Sequence, residues 1–400
     1  MTGRRSLRFR LLLFLSSGAL SIVLLEAAAR AFYYVRWDGE LYGLRTQDVS
    51  LRLGWRMAPG ESPGVHINAQ GFRRRAAVPL RPAPDTLRVF LVGGSTAFGF
   101  QGLFPAFPSP PLSDEETIDH HLEQALTARH ADRAIEVVNA AVPAYRLFQE
   151  ITLFRERLVN FRPDLVVFLD GHNDLTFLTA SGVAQHPSPY WEHPRFAHVE
   201  RMLNEPGVRG PLLYLDLYLG QVSYFYHGLS MLEDRFRPPR GPARDHPWGD
   251  GAFRAANEAE LLRRNAARLE EWDRNLQSYV DQVHDLKAIA AARGTNVLYV
   301  LQPEILLEEA GDLTPREARI QAAAFRHHRD LGSLAWRYLS PRMAEALTGA
   351  DAEGFRFLDL VTVAERSSQD VYTDSTHLTP AGNRLVAEQL LPVVEELLDL

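Results

Sequence analysis

Leu87-Arg88-Val89-Phe90-Leu91-Val92-Gly93-Gly94-Ser95-Thr96 is the stretch that decides the fold. Its apolar run, 89–92, closes on two glycines and a serine. Short apolar runs that end at glycine read as strands buried on both faces, as in a parallel sheet. In open α/β sheets ligands bind beyond the carboxyl ends of the strands, which is where Ser95 falls. The two glycines let the backbone turn sharply and approach a ligand. The plainer reading is a Gly-Ser turn after a core strand.

Working outward, strand and helix alternate. Strands are expected at 135–138, 165–169, 296–301 and 355–358, with helices from 114, over 147–161, 255–293, 315–347 and from 380. Thr379 is the expected cap of the last helix, with Pro380 at its first position. Alternation implies a mainly parallel five-stranded sheet with helices on both faces, an α/β/α sandwich. Residues 35–85 read as an irregular arm with a hairpin near 65–72. In it, Arg73-Arg74-Arg75 reads as a solvated charge run. The proline-rich loop 104–111 reads as a rim of the site. The rhythm breaks at about 178–254, an insertion with one apolar helix near 212–232. Tyr190, Trp191 and Trp248 there would serve as sugar-stacking or acyl-covering surfaces, or simply as a structural lid. The division expected is 1–34, 35–85 and 86–400.

Composition narrows the classes. The chain has 400 residues, 46% hydrophobic and 23% charged, enough for one large or two ordinary domains. The net charge of −7 gives no sign of a nucleic-acid partner. With no cysteine, disulfides, zinc thiolate sites and a cysteine nucleophile are excluded. His120-His121 and His327-His328 are adjacent pairs that point to different sides of a helix, so they do not chelate together.

The first segment reads as a membrane anchor. Arg4, Arg5, Arg8 and Arg10 precede an apolar stretch, 11–29, close to the roughly 20 residues that span a bilayer. Phe32, Tyr33, Tyr34 and Trp37 follow as an interfacial belt would. Glu26 weakens the span but lies near its far end. The rival is a signal peptide cleaved at Ala27-Ala28-Ala29. Both place the remainder across the membrane, periplasmic or extracellular. In the anchored form the N-terminus stays in the cytoplasm.

The chemistry gathers at the strand ends. In Asp374-Ser375-Thr376-His377 an Asp three residues from a His can orient the imidazole and leave its other nitrogen as a base. Such a base activates a serine hydroxyl, which is otherwise a weak nucleophile. In Gly171-His172-Asn173-Asp174 the Asn amide can donate to an oxyanion, with backbone N–H groups completing the hole. Each motif also has a bland reading: a capping Asp with a surface His, or a turn Asn. An ordinary α/β-hydrolase elbow, Gly-x-Ser-x-Gly, is not matched, because Ala97 stands at its last position.

These four stretches, in this order, resemble the SGNH/GDSL hydrolase superfamily. Ser95 in Gly93-Gly94-Ser95-Thr96 matches the first block. Ala144 in Asn139-Ala140-Ala141-Val142-Pro143-Ala144-Tyr145 falls at the second block's glycine. Asn173 matches the third block, and Asp374 with His377 the last. Asn68-Ala69-Gln70-Gly71-Phe72-Arg73 also resembles membrane-anchored bacterial members. The resemblance implies a flavodoxin-like fold. It also implies a Ser95-His377-Asp374 triad, an oxyanion hole from the N–H groups of Ser95 and Ala144 with the Asn173 amide, and no cofactor or metal. Two departures stand out: Gly94 replaces the Asp of Gly-Asp-Ser, and Ala144 replaces a glycine although alanine tolerates positive φ poorly.

The expected activity is ester hydrolysis, on an ester-bearing small molecule, a lipid or a cell-surface glycan. An O-acyltransferase would use the same residues, and a non-catalytic glycan-binding relative is the third option.

Overall fold

A computed structural model describes residues 2–36, 47–50, 52–62, 64–100, 112–179 and 258–400, with a discontinuous set between 207 and 229. The 104–111 rim, Trp37, Tyr190, Trp191 and Trp248 lie outside the described residues. The chain forms two compact units. One comprises Met1–Asp48 with Trp191–Arg244, and the other Val49–Tyr190 with Asp245–Leu400.

In the larger unit β1 (Gly54–Met57), which pairs with the short strand Gln47–Ser50, is followed by the antiparallel hairpin of β2 (Gly60–Ser62) and β3 (Val65–Ile67). The hairpin therefore ends before the expected stretch 65–72 does. Residues 68–72 form a turn instead, because Asn68 Oδ1 accepts the N–H groups of Gln70 and Phe72. Asparagine favours such side-chain-closed turns over strand pairing.

Five parallel strands follow: β4 (Thr86–Gly93), β5 (Ala134–Asn139), β6 (Leu165–Asp170), β7 (Asn296–Leu301) and β8 (Phe355–Asp359). Their order is β5-β4-β6-β7-β8, the flavodoxin-like arrangement expected. Val89 pairs with Val137 on one side and with Leu165 on the other. Every residue of β6 is buried, as its unbroken apolar run required. Strand order reverses at β4, so the carboxyl ends of β4 and β6 form the topological switch point at which open α/β sheets bind ligands. Ser95 follows one of these strands and Asn173 the other.

The flanking helices are α2 (Ser95–Phe98), α3 (Ile118–Arg129), α4 (Leu147–Glu156), α5 (His172–Leu178), α6 (Ala266–Arg293), α7 (Pro315–Leu347) and α8 (Pro380–Leu397); α1 (Thr2–Arg36) belongs to the smaller unit. Thr379 caps α8 by accepting Gly382 N–H at 3.0 Å. Helix α4 stops at Glu156 and a 3-10 turn, Leu158–Phe161, completes what reads as one helix in sequence.

Arg73 is not a solvated charge. It is 3% exposed, and its guanidinium donates to Asp114 and to the carbonyls of Phe98 and Leu112. A buried arginine survives because carboxylate and carbonyl acceptors satisfy its fork of donors. The arm is thereby tied to the end of α2.

In the smaller unit, α1 carries an apolar segment, Phe9–Val35, of 27 residues, whose most apolar stretch is exposed. Length and composition allow it to cross a bilayer, and a signal sequence meets the same description.

Candidate active site

Gly93 and Gly94 set the turn out of β4. Gly93 has φ of +153°, and a Cβ there would stand 2.4 Å from the Leu169 carbonyl. A Cβ on Gly94 would stand 2.5 Å from Asn173 Nδ2. A side chain at position 94 would therefore press on the Asn173 amide beside the turn. Ser95 begins α2 immediately afterwards.

Ser95, His377 and Asp374 meet. His377 Nε2 lies 2.8 Å from Ser95 Oγ, and its Nδ1 lies 2.8 and 3.0 Å from the two Asp374 oxygens. The same Asp374 carboxylate accepts the N–H groups of Thr376 and His377 at 3.0 and 2.9 Å. Burial alone would push this carboxyl up. The hydrogen bond from His377, its charge and the two amides outweigh burial and hold it at about 2. Asp374 is therefore an anion at neutral pH. It fixes the imidazole so that Nε2 can take a proton from Ser95.

Gln302, at the end of β7, joins the two loops that carry this relay. Its Nε2 donates to Thr376 Oγ1 at 2.6 Å and Thr96 Oγ1 at 3.2 Å, and Thr96 Oγ1 donates to the Thr376 carbonyl at 3.3 Å. Sequence reading gave Gln302, Thr96 and Thr376 no role. A polar residue closing an apolar strand was the one available signal.

Ala144 adopts φ of +66°, the left-handed region that a glycine would enter without strain. Its neighbours are held from both sides. Asn173 Nδ2 donates to the Tyr145 carbonyl at 2.8 Å, and Asp174 accepts Leu147 N–H at 3.2 Å. Trp55 Nε1 donates to the Pro143 carbonyl at 3.0 Å, and Tyr145 Oη donates to the Trp55 carbonyl at 2.5 Å. Upstream, Asn139 donates to the Ala97 carbonyl and to Asp119, so the loop is also tied to α2. An Asn side-chain amide has two N–H groups, and the Tyr145 carbonyl takes one of those of Asn173.

Beside Asn173, His172 Nδ1 lies 2.6 Å from Glu304. Burial would lower this imidazole, but the Glu304 charge and hydrogen bond, with Asp374 farther off, raise it. Beneath Asp174 lie Asp170 and Glu150. Burial, with the Asp174 charge, pushes the Glu150 carboxyl well above the usual carboxylate range. Among the described residues no cluster of three or more His, Asp or Glu side chains is arranged to hold a metal ion.

No family model matches the chain, and no curated protein matches it. Solved structures similar to it include LAE5, an α/β-hydrolase enzyme from the metagenome of Lake Arreo, Spain, with 15% identity and a TM-score of 0.34 over 78% of this chain and 96% of that one. An acetyl xylan esterase, AlAXEase, has 11% identity and a TM-score of 0.39 over 77% of this chain and all of its own. A GDSL-like lipase from Bacteroides thetaiotaomicron has 11% identity and a TM-score of 0.33, over 79% and 91%. At such identities and scores no activity passes from those proteins to this one.

Proposed function

We propose that this chain is a serine hydrolase of carboxylic esters. The observation that carries the reading is the relay Ser95–His377–Asp374, with both steps at 2.8 Å. Ser95 Oγ attacks the ester carbonyl as its proton passes to His377 Nε2. The negative charge that forms on the carbonyl oxygen faces the N–H groups of Ser95 and Ala144 and the Asn173 amide. Collapse of the tetrahedral adduct expels the alcohol, protonated by His377. Water, activated by the same imidazole, then frees the acid. The left-handed turn at Ala144 supports the second donor, because the role uses the backbone amide and not a side chain. No step calls for a cofactor.

The substrate class is an acylated or acetylated lipid or cell-surface glycan, matching a site tethered at a membrane. The anchor is the apolar helix, with the basic N-terminus in the cytoplasm and residues 86–400, which carry the catalytic machinery, outside. A panel of p-nitrophenyl esters of rising chain length, run with and without glycan acceptors, tests this. Hydrolysis that vanishes in Ser95→Ala is the expected result. Product carrying the acyl group on the acceptor would make the chain a transferase, and no turnover of any ester would sink the hydrolase reading.

A further inference from the structure

Glu26 is the one acid inside the apolar segment Phe9–Val35, and the smaller unit gives it a use. Its carboxylate accepts Ser223 Oγ–H at 2.7 Å and the N–H groups of Tyr224 and Phe225 at 3.2 and 3.1 Å. Arg30, one turn further along α1, donates to it at 2.8 Å and lies over the Tyr224 ring at 4.7 Å. Tyr33 packs its ring 5.6 Å from Tyr224. Its hydroxyl would stand 3.5 Å from a Cβ placed on Gly228. Three successive turns of α1 therefore grip Val222, Ser223, Tyr224 and Phe225, with Gly228 alongside. A carboxylate with an arginine and three further donors is also far easier to keep near hydrocarbon than a bare one.

The gripped segment presents an apolar face. Leu212, Leu215, Tyr218 and Val222 are each helical, and their steps of three and four residues are the spacing of neighbours on one helix side. Val208 precedes them and Leu229 follows beyond Ser223. All six are between 43% and 74% exposed. An apolar stripe this long is unusual on a surface that meets only water.

We propose that this stripe is a second membrane-contacting surface, lying in the bilayer–water interface beside the anchor. The proposal rests on reading α1 as a membrane anchor. Its occupant is lipid, because the stripe continues directly from residues pinned to the last turns of the apolar span. Apolar side chains held there bury at the boundary between headgroups and acyl chains, as those of interfacial amphipathic segments do.

The chain has no cysteine, so single labels are clean. An environment-sensitive NBD fluorophore is placed in turn on Leu215→Cys, Val222→Cys, Leu20→Cys and Glu353→Cys. The full-length protein is reconstituted in phosphatidylcholine–phosphatidylglycerol vesicles, with and without doxyl-labelled phosphatidylcholine. Loss of emission to doxyl lipid and shielding from iodide are expected at 215, 222 and 20, and not at the exposed catalytic-unit position 353. Iodide access at 215 and 222 with lipid quenching at 20 would overturn the proposal and leave the anchor standing. Shielding at 215 and 222 without lipid quenching would mean that protein covers the stripe, and would overturn it as well. Absence of lipid quenching at 20 would remove the anchor and the proposal together.

Discussion

Trp55 donates its indole N–H to the carbonyl of Pro143, the residue before Ala144, at 3.0 Å. A strand of the N-terminal arm thus holds one side of the left-handed turn that carries the proposed second oxyanion donor. Asn173 holds the other side, through Tyr145. A non-glycine residue at positive φ costs about 1–2 kcal/mol. The structure offsets that strain with hydrogen bonds before and after Ala144.

Removing the Trp55 bond while keeping an aromatic ring should loosen the donor. Trp55→Phe is expected to lower kcat by roughly 5- to 10-fold with little change in KM, which corresponds to about one hydrogen bond. Affinity for a boronate transition-state analogue should fall in step. Ala144→Gly alone should keep or raise kcat. The double variant should depart from additivity, which unrelated defects at the two positions would not do. A rise in KM with kcat intact would assign Trp55 to packing only.

Ser95→Ala should abolish both ester hydrolysis and labelling by a fluorophosphonate, with far-UV circular dichroism unchanged. Labelling at the wild-type level would rule Ser95 out as the nucleophile.

Asn173→Ala should reduce kcat by about 10²–10³ and leave KM nearly unchanged, since its bond strengthens only as the carbonyl oxygen becomes an anion. Because Asn173 also holds Tyr145, steady-state kinetics should be read beside a thermal melt. An unchanged kcat with a raised KM would make Asn173 a substrate-binding residue.

Asp374 yields a pH prediction. Its folded value of about 2 lies below its ordinary 3.8. Its contribution to stability is therefore complete above about pH 4 and is lost as pH falls through about 2. Asp374→Asn should remove that acid-side slope in a urea-unfolding series. It should also lower kcat by roughly 10³–10⁴, because the imidazole loses its orienting anion. An unaltered slope would show that the carboxylate is not held down by the contacts described.

Glu150 carries the opposite sign. Its folded carboxyl is raised by burial and by Asp174, so the folded state holds its proton to higher pH than the unfolded state does. Stability should fall as pH rises above the unfolded carboxylate range. Glu150→Gln should flatten that fall, so that the variant gains stability relative to the parent as pH rises. Parallel stability–pH curves for the two proteins would refute it.

The amino-acid sequence by itself determined the parallel sheet. Buried parallel strands must be apolar throughout, and 89–92, 165–169 and 296–301 advertise that in one dimension. It also placed Ser95 and Asn173 just past strand ends and Asp374 with His377 in the loop before the last helix, because Gly-Gly-Ser, Gly-x-Asn-Asp and Asp-x-x-His are local patterns. The tertiary structure alone decided what long-range hydrogen bonds do. Arg73 reads as a surface charge until Asp114 and three backbone carbonyls close round it. Trp55 lies 88 positions from Pro143, and Gln302 more than 70 from Thr376, so no local pattern announces either bond. Glu26 reads as a flaw in an apolar helix until Ser223, Tyr224 and Phe225 donate to it from the far side of the sequence. Periodicity is written by burial on one element, whereas a donor and its acceptor are paired only when the chain brings two elements together.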